Sequence, residues 1–285
     1  MELYLAAIIQ GLCYTSLGLG VYLSLRIFRI PDITTDGSFT LGGAVAAVCL
    51  INGCNVWITM TAAIAAGMVG GTITGIIATR LRVHPLLAGI LVMTALYSIN
   101  LVIMGRSNMP IETETGLLDT TGDTLLQPLL VALVFGISLL LLIAWLLKTD
   151  LGIAMRATGN NEQMAAANGV HVNRMKILGL SLANGLTAIS GFLMVQYQGF
   201  ADINMGVGII IAGLAAVMVG EAIGALLNIR KLWMILASIA VGSILFRLAI
   251  AQSLVLGLNP NYLKLVTAMI VLAIVVGSNA KSKKA

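Results

Sequence analysis

Charge is scarce in this chain of 285 residues: Asp, Glu, Lys and Arg make up 9% of it and hydrophobic residues 59%. Mean hydropathy is +1.02, whereas soluble domains carry roughly 25% charged residues, so a soluble globular domain is excluded. Histidine is nearly absent. His84, just before Pro85, and His171, in a polar stretch, are too far apart in sequence to suggest a catalytic or metal centre. Three cysteines, Cys13, Cys49 and Cys54, show no CxxC spacing, which argues against a zinc site and predicts small buried hydrophobes. The sequence also lacks GxxxxGK[ST], HExxH, GxSxG and any Cys-His arrangement, so nucleotide binding of the usual kind and hydrolase chemistry are not expected, and no cofactor is predicted to be bound by this chain. The net charge of +5 comes from scattered basic residues without aromatic interleaving, which excludes a nucleic-acid partner.

What remains is a succession of long apolar runs. Nine spans are predicted, at 4–25, 37–52, 56–79, 86–104, 126–147, 177–198, 206–228, 232–254 and 262–278. Their length and their Gly and Pro content suit helices crossing a hydrocarbon core of about 30 Å, not barrel strands. The fold class is therefore an all-α integral membrane protein, one membrane domain over 1–285 with a polar loop at 149–176. The opening segment, MELYLAAIIQGLCY, has no basic n-region or small-residue cleavage site and is expected to be a first helix, not a signal peptide.

Charge assigns the sides. Arg26 and Arg29, Arg80 and Arg82, Lys148 with Arg156, Arg174 and Lys176, Arg230 and Lys231, and Lys281, Lys283 and Lys284 fall in alternate connections, expected to be cytoplasmic. The N-terminus is then outside and the C-terminus inside. The connection carrying Glu112, Glu114, Asp119 and Asp123 is expected outside. Arg106 and Lys264 break the pattern, either snorkelling at helix ends or meeting headgroups or a partner.

Two segments interrupt the apolar pattern, IPDITTDGSFTLGGAVAAV from Ile30 and FADINMGVGIIIAGLAAV from Phe200. Both carry Asp-Ile, then Gly, a second Gly and Ala-Ala-Val: Asp32-Ile33, Gly37, Gly42 and Ala46 to Val48 against Asp202-Ile203, Gly206, Gly213 and Ala215 to Val217. The helices that follow run in opposite directions, the pattern of an inverted repeat around a central path. Candidate path residues are Asp32, Thr35, Asp36, Ser38, Phe39, Asn204 and Gly206. The two aspartates either line a polar vestibule or cap the helix beginning near Gly37. Ionisable residues within apolar sequence are costly, which singles out Asp32, Asp36, Glu221 and Arg247. Glu221 is placed to pair with Arg230 or to touch a cytoplasmic partner. Four scattered charges make a poor proton relay.

The stretch DLGIAMRATGNNEQMAAANGVHVNRMK, from Asp150 to Lys176, is a polar island. A short helix is expected inside it, with Asn160 as N-cap, Gln163 completing a capping box and Gly169 as a left-handed stop. A mere connector would need no such caps.

These stretches resemble the permease subunits of ABC importers in the branched-chain amino acid and ribose permease superfamily. IPDITTDGSFTLGGAVAA is similar to that family's interrupted early helix. The run Gly152, Ala154, Arg156, Ala157, Gly169 and Val170 is similar to its cytoplasmic signature, and ISGFLMVQYQGFADINMGVGIIIAGLAAVMVGEAIG resembles its following helix pair. The Asp32 to Gly42 wording is most similar to tryptophan and tyrosine import systems. In place of the Asn-Phe-Ala-x-Gly turn common in branched-chain permeases stands Ile33-Thr34-Thr35-Asp36-Gly37. The resemblance implies a type II importer-like fold in a bacterial inner membrane. It also implies an aromatic amino acid as solute and a homodimer with two ATPase subunits, which bind ATP and Mg, and an extracytoplasmic binding lipoprotein. Arg156, Gly159, Asn160, Asn161, Glu162, Ala165 and Gly169 would then form the coupling element. A self-contained carrier or channel is the alternative.

Overall fold

A computed structural model describes residues 2–111, 117–118, 126–229, 231–257, 259 and 262–282, the side chains of 274–282 excepted. Helices α1 (Glu2–Cys13) and α2 (Thr15–Tyr22) continue through a π-helical turn, Leu23–Ile27, to make one span of 26 residues. Then come α3 (Thr34–Ile51), α4 (Val56–Thr79), α5 (Pro85–Met104) and α6 (Leu126–Leu146). Two short helices, α7 (Asp150–Asn160) and α8 (Glu162–Ala167), precede α9 (Val172–Gln198), α10 (Ile209–Leu226), α11 (Leu232–Val255) and α12 (Leu263–Ser282). Among the described residues, eight helical segments are long and apolar enough to cross a bilayer, and α12 adds a further helix that is apolar over Leu263–Ala273. Eight of the nine expected spans are thus present at spanning length, with α3 starting three residues early, α9 five early and α10 three late, and the ninth coincides with α12.

The helices that precede the two interruptions, α2 and α9, lie against each other at the centre. Each repeat then crosses over: α3 packs along α9, and α10 packs along α2. This exchange buries α9 more completely than any other span, while α6 is the least buried. Close approach depends on missing side chains. A Cβ at Gly42 would collide with the Ala188 carbonyl, one at Gly71 with that of Leu180 and one at Gly191 with that of Phe39. In a bilayer, where lipid tails are as apolar as leucine, such backbone-to-backbone packing is a main source of helix association.

The two ends of the bundle differ. At one end Arg29, Arg82 and Lys176 line one cleft and Arg80 and Arg174 the next. Arg26 there pairs with Glu221. Arg230, one expected partner of Glu221, lies outside the described residues. Lys283 and Lys284 also lie outside them, as does the Lys281 side chain. At the other end β1 (Asn108–Pro110) pairs antiparallel with β2 (Phe200–Asp202), tying the end of α5 to the end of α9. Glu112, Glu114, Asp119 and Asp123, which assigned this side, lie outside the described residues. The cysteine expectation holds for Cys13, which is fully buried, but Cys54 is exposed and Cys49 partly so, because both sit at the turn where α3 leaves the bundle.

Candidate functional site

Two places combine polar chemistry with interrupted helices. The first is a clasp inside the bundle. Between Phe28 and Ile33 the chain abandons helix, and Asp32 becomes buried at 1% exposure. Its Oδ1 accepts the Thr34 N–H at 2.9 Å, and its Oδ2 accepts from Asn184 Nδ2 of α9 at 2.6 Å. Asn184 in turn accepts from the Ser38 hydroxyl at 2.7 Å, and Thr34 and Thr74 share a hydroxyl contact of 2.7 Å. Thr35 donates to the Asp32 carbonyl at 3.1 Å.

Asp36 does something the sequence did not suggest. Helix α3 already begins at Thr34, so Asp36 does not cap a helix starting near Gly37. It caps α10 instead. Gly208, the N-cap of α10, has no side chain to accept the first free N–H groups. Asp36 supplies that acceptor from the other repeat: its Oδ2 takes the Gly208 N–H at 2.8 Å and its Oδ1 the Ile210 N–H at 2.9 Å. Ile209 and Ile211 bond back to Gly206 and Gly208, so the opening turn of α10 leaves no orphan donor. A carboxylate here also meets the positive end of the α10 dipole. Gly206 has no Cβ because one would strike the Asp36 carbonyl and the Thr40 hydroxyl.

The repeat shows in the turns too. Asp202 Oδ1 accepts the Asn204 N–H at 2.8 Å, the same two-residue turn that Asp32 makes with Thr34. Of the candidate path residues, Asp32, Thr35, Asp36, Ser38, Phe39 and Gly206 are buried, and Asn204 is exposed. Phe39 stacks on Tyr14 with ring centroids 5.9 Å apart, and the Arg247 guanidinium carbon lies 3.9 Å from the Tyr14 centroid. The sequence offered no sign that Asn184 would hold the clasp together; only its burial inside a spanning helix marks it.

The second place is the polar island, which forms a bent knob of two helices. Thr149 caps α7, accepting the Gly152 N–H at 3.4 Å. Asn161 is the only residue between α7 and α8. Its N–H closes α7 on the Ala157 carbonyl at 3.0 Å, while its Oδ1 accepts the Met164 N–H at 3.0 Å and opens α8. The N-cap is therefore Asn161, one residue later than expected. Met164 occupies the third helical position, so no capping box with Gln163 forms. Asn160 ends α7, and Gly159 lies in its last turn with no left-handed backbone. Gly169 is the expected stop, at φ 82°. Its N–H reaches Ala166 O at 3.0 Å, and Val170 N–H reaches Ala165 O at 3.1 Å, a complete Schellman motif.

The knob is fastened to both central spans. A Cβ at Gly159 would run into the Ile27 carbonyl, so the last turn of α7 rests directly on the end of the first span. Glu162 at the start of α8 pairs with Lys176 of α9 at 2.7 Å. Arg156 is exposed and within electrostatic reach of Tyr22. Ala165 is buried against the knob's own interior, whereas Met164 is 67% exposed, alongside exposed Leu151 and Ile153. Between α7 and α8 lies a cleft of about 450 Å³ lined by Ile153, Ala157, Asn161, Met164 and Asn168 among others.

Interrupted helices exchanged between inverted repeats, a polar clasp at their meeting point and a capped knob on one face define a membrane transport permease. Comparison with known proteins agrees: the chain belongs to the family of the branched-chain amino acid transport system permease component, whose model matches residues 3–276. It is 37% identical over 272 residues to a tyrosine transport system permease protein of Clostridioides difficile, covering 95% of this chain and 89% of that one. It is 30% identical over 194 residues to the ribose import permease protein of Escherichia coli, covering 66% and 60%. A solved inward-facing structure of a metal-chelate type ABC transporter shares the fold, with a TM-score of 0.52, 16% identity and coverage of 98% and 85%.

Proposed function

We propose that this chain is the membrane-spanning subunit of an ATP-driven importer that carries a small organic solute, an aromatic amino acid such as tyrosine or tryptophan. The observation that carries this reading is the knob: a doubly capped element that is fastened to the ends of the helices leading into the interrupted segments, at Ile27 and Lys176. Its exposed Met164, Leu151 and Ile153 suit a protein partner. The basic end of the bundle faces the cytoplasm, with the N-terminus outside and the C-terminus inside. Two copies of the chain form the path, two ATPase subunits bind the knobs through Arg156, Asn160, Asn161, Glu162 and Gly169, while Gly159 against Ile27 and buried Ala165 hold the coupling element in place, and an extracytoplasmic protein delivers the solute.

Force then follows a short route. ATPase closure displaces α7 and α8, which shift Ile27 and the start of α9 and so bias the clasp between two arrangements. When α3 and α10 part, Asp32, Thr35, Asp36, Ser38, Phe39, Asn204 and Gly206 line the opening. The relative named for tyrosine transport favours the aromatic solute. The test is reconstitution of the chain in proteoliposomes with its ATPase and binding protein. Tyrosine or tryptophan uptake that needs all three supports the proposal, and uptake that is indifferent to the ATPase refutes it.

A further inference from the structure

The corner where α3 meets α4 holds two cysteines in a specific relation. Gly53, at φ 72°, ends α3, and its N–H bonds to Leu50 O at 3.0 Å. The Cys54 N–H bonds to Cys49 O at 3.0 Å. These two bonds make a Schellman motif in which Cys49 and Cys54 occupy the third position from the helix end and the second past the cap. Side chains at those two positions of the motif lie side by side across the turn, and here the two thiols are near enough to influence each other electrostatically. Cys54 is exposed, Cys49 partly exposed, and Cys13 is sealed in the core where it cannot compete. On the orientation given under Proposed function, on which this inference rests, the corner faces the oxidising outer compartment.

We propose that Cys49 and Cys54 form a reversible disulfide that clamps the outer end of α3 to the start of α4. The oxidant is an exchangeable disulfide of that compartment. The Cys54 thiolate attacks one sulfur of the donor and releases the first donor thiol. The Cys49 thiolate then attacks the Cys54 sulfur, breaks the mixed disulfide and releases the second, so the two cysteine protons end on the donor's two thiols.

The test uses intact cells expressing the full chain, a membrane-impermeant maleimide mass tag and an impermeant phosphine reductant. The expected result is no tag before reduction and two after it, with Cys54→Ser taking one tag without reduction. Two tags before reduction overturn the inference. Opened membranes treated with excess oxidised glutathione separate the two readings. If the thiols stay taggable there, the pair is refuted, and if the impermeant maleimide also tags them in intact cells, the orientation stands. If the pair closes there but resists tagging in intact cells even after reduction, the orientation fails, and with it the outer-face oxidation.

Discussion

Replacing Asp36 with alanine removes both acceptors from the start of α10. The Gly208 and Ile210 N–H groups, now bonded at 2.8 and 2.9 Å, would lose their acceptors, because the N-cap is itself a glycine and both groups are partly buried beside α3. A buried donor left unsatisfied costs about 1–3 kcal/mol, so two cost about 4 kcal/mol in mid-range. Asp36→Asn keeps one acceptor and presents an amide N–H to the other donor, for about 2 kcal/mol. At about 2 °C per kcal/mol, the low end for a chain of this size, the apparent melting temperature should fall by about 8 °C for alanine and about 4 °C for asparagine. The buried Cys13 thiol gives the readout in detergent: on a Cys49→Ser, Cys54→Ser background, a thiol-reactive dye reports the temperature at which it becomes accessible. Because such unfolding is commonly irreversible, the variants are compared at one heating rate. A shift under about 1 °C for Asp36→Ala, or a larger loss for asparagine than for alanine, refutes capping across the repeats.

Other substitutions probe the remaining links. Gly159→Val forces a side chain into the Ile27 carbonyl and should abolish stimulation of the ATPase while the chain still inserts and purifies; unchanged stimulation and uptake would count against the contact. Asn184→Leu strips Asp32 and Ser38 of a shared partner and should cost about 1–3 kcal/mol in the same dye assay, with no loss contradicting the clasp. Gly169→Ala meets no neighbour but must adopt a left-handed backbone, so it should loosen α8 by about 1–2 kcal/mol, seen as faster amide exchange confined to 162–170, and exchange at the original rate would contradict the cap. Glu162→Gln should weaken the tie to Lys176 and slow uptake more at low salt than at high salt; an equal effect at both would remove electrostatics from that anchor.

The spans were legible because apolar length is a local property, and the paired Asp-Ile segments were legible because the repeat preserved their wording. What Asp36 does was not legible. Its partners, Gly208 and Ile210, lie far along the chain and come close only because α3 and α10 exchange between repeats. The knob's caps were nearly right, since Asn160 and Asn161 are chemically equal candidates. The choice fell to Asn161 because Gly159, flattened against Ile27, lets α7 run one residue further. Strands of three residues such as β1 and β2 carry no alternation to read, so the ribbon that ties α5 to α9 had no signal. Asn184 looked like one polar residue in an apolar helix, and Cys54 like one more small hydrophobe, until the positions of their neighbours gave them roles.

The central claim is that a separate motor drives transport through the knob. It is tested most directly by solute uptake into proteoliposomes containing the chain and its binding protein, with and without the ATPase, for the wild type and for Met164→Asp, which puts a charge on the exposed face of α8. The account predicts uptake only with the ATPase and ATP, and loss of that uptake in Met164→Asp although its melting temperature is unchanged. Full uptake without the ATPase, or uptake by Met164→Asp equal to the wild type, would contradict it.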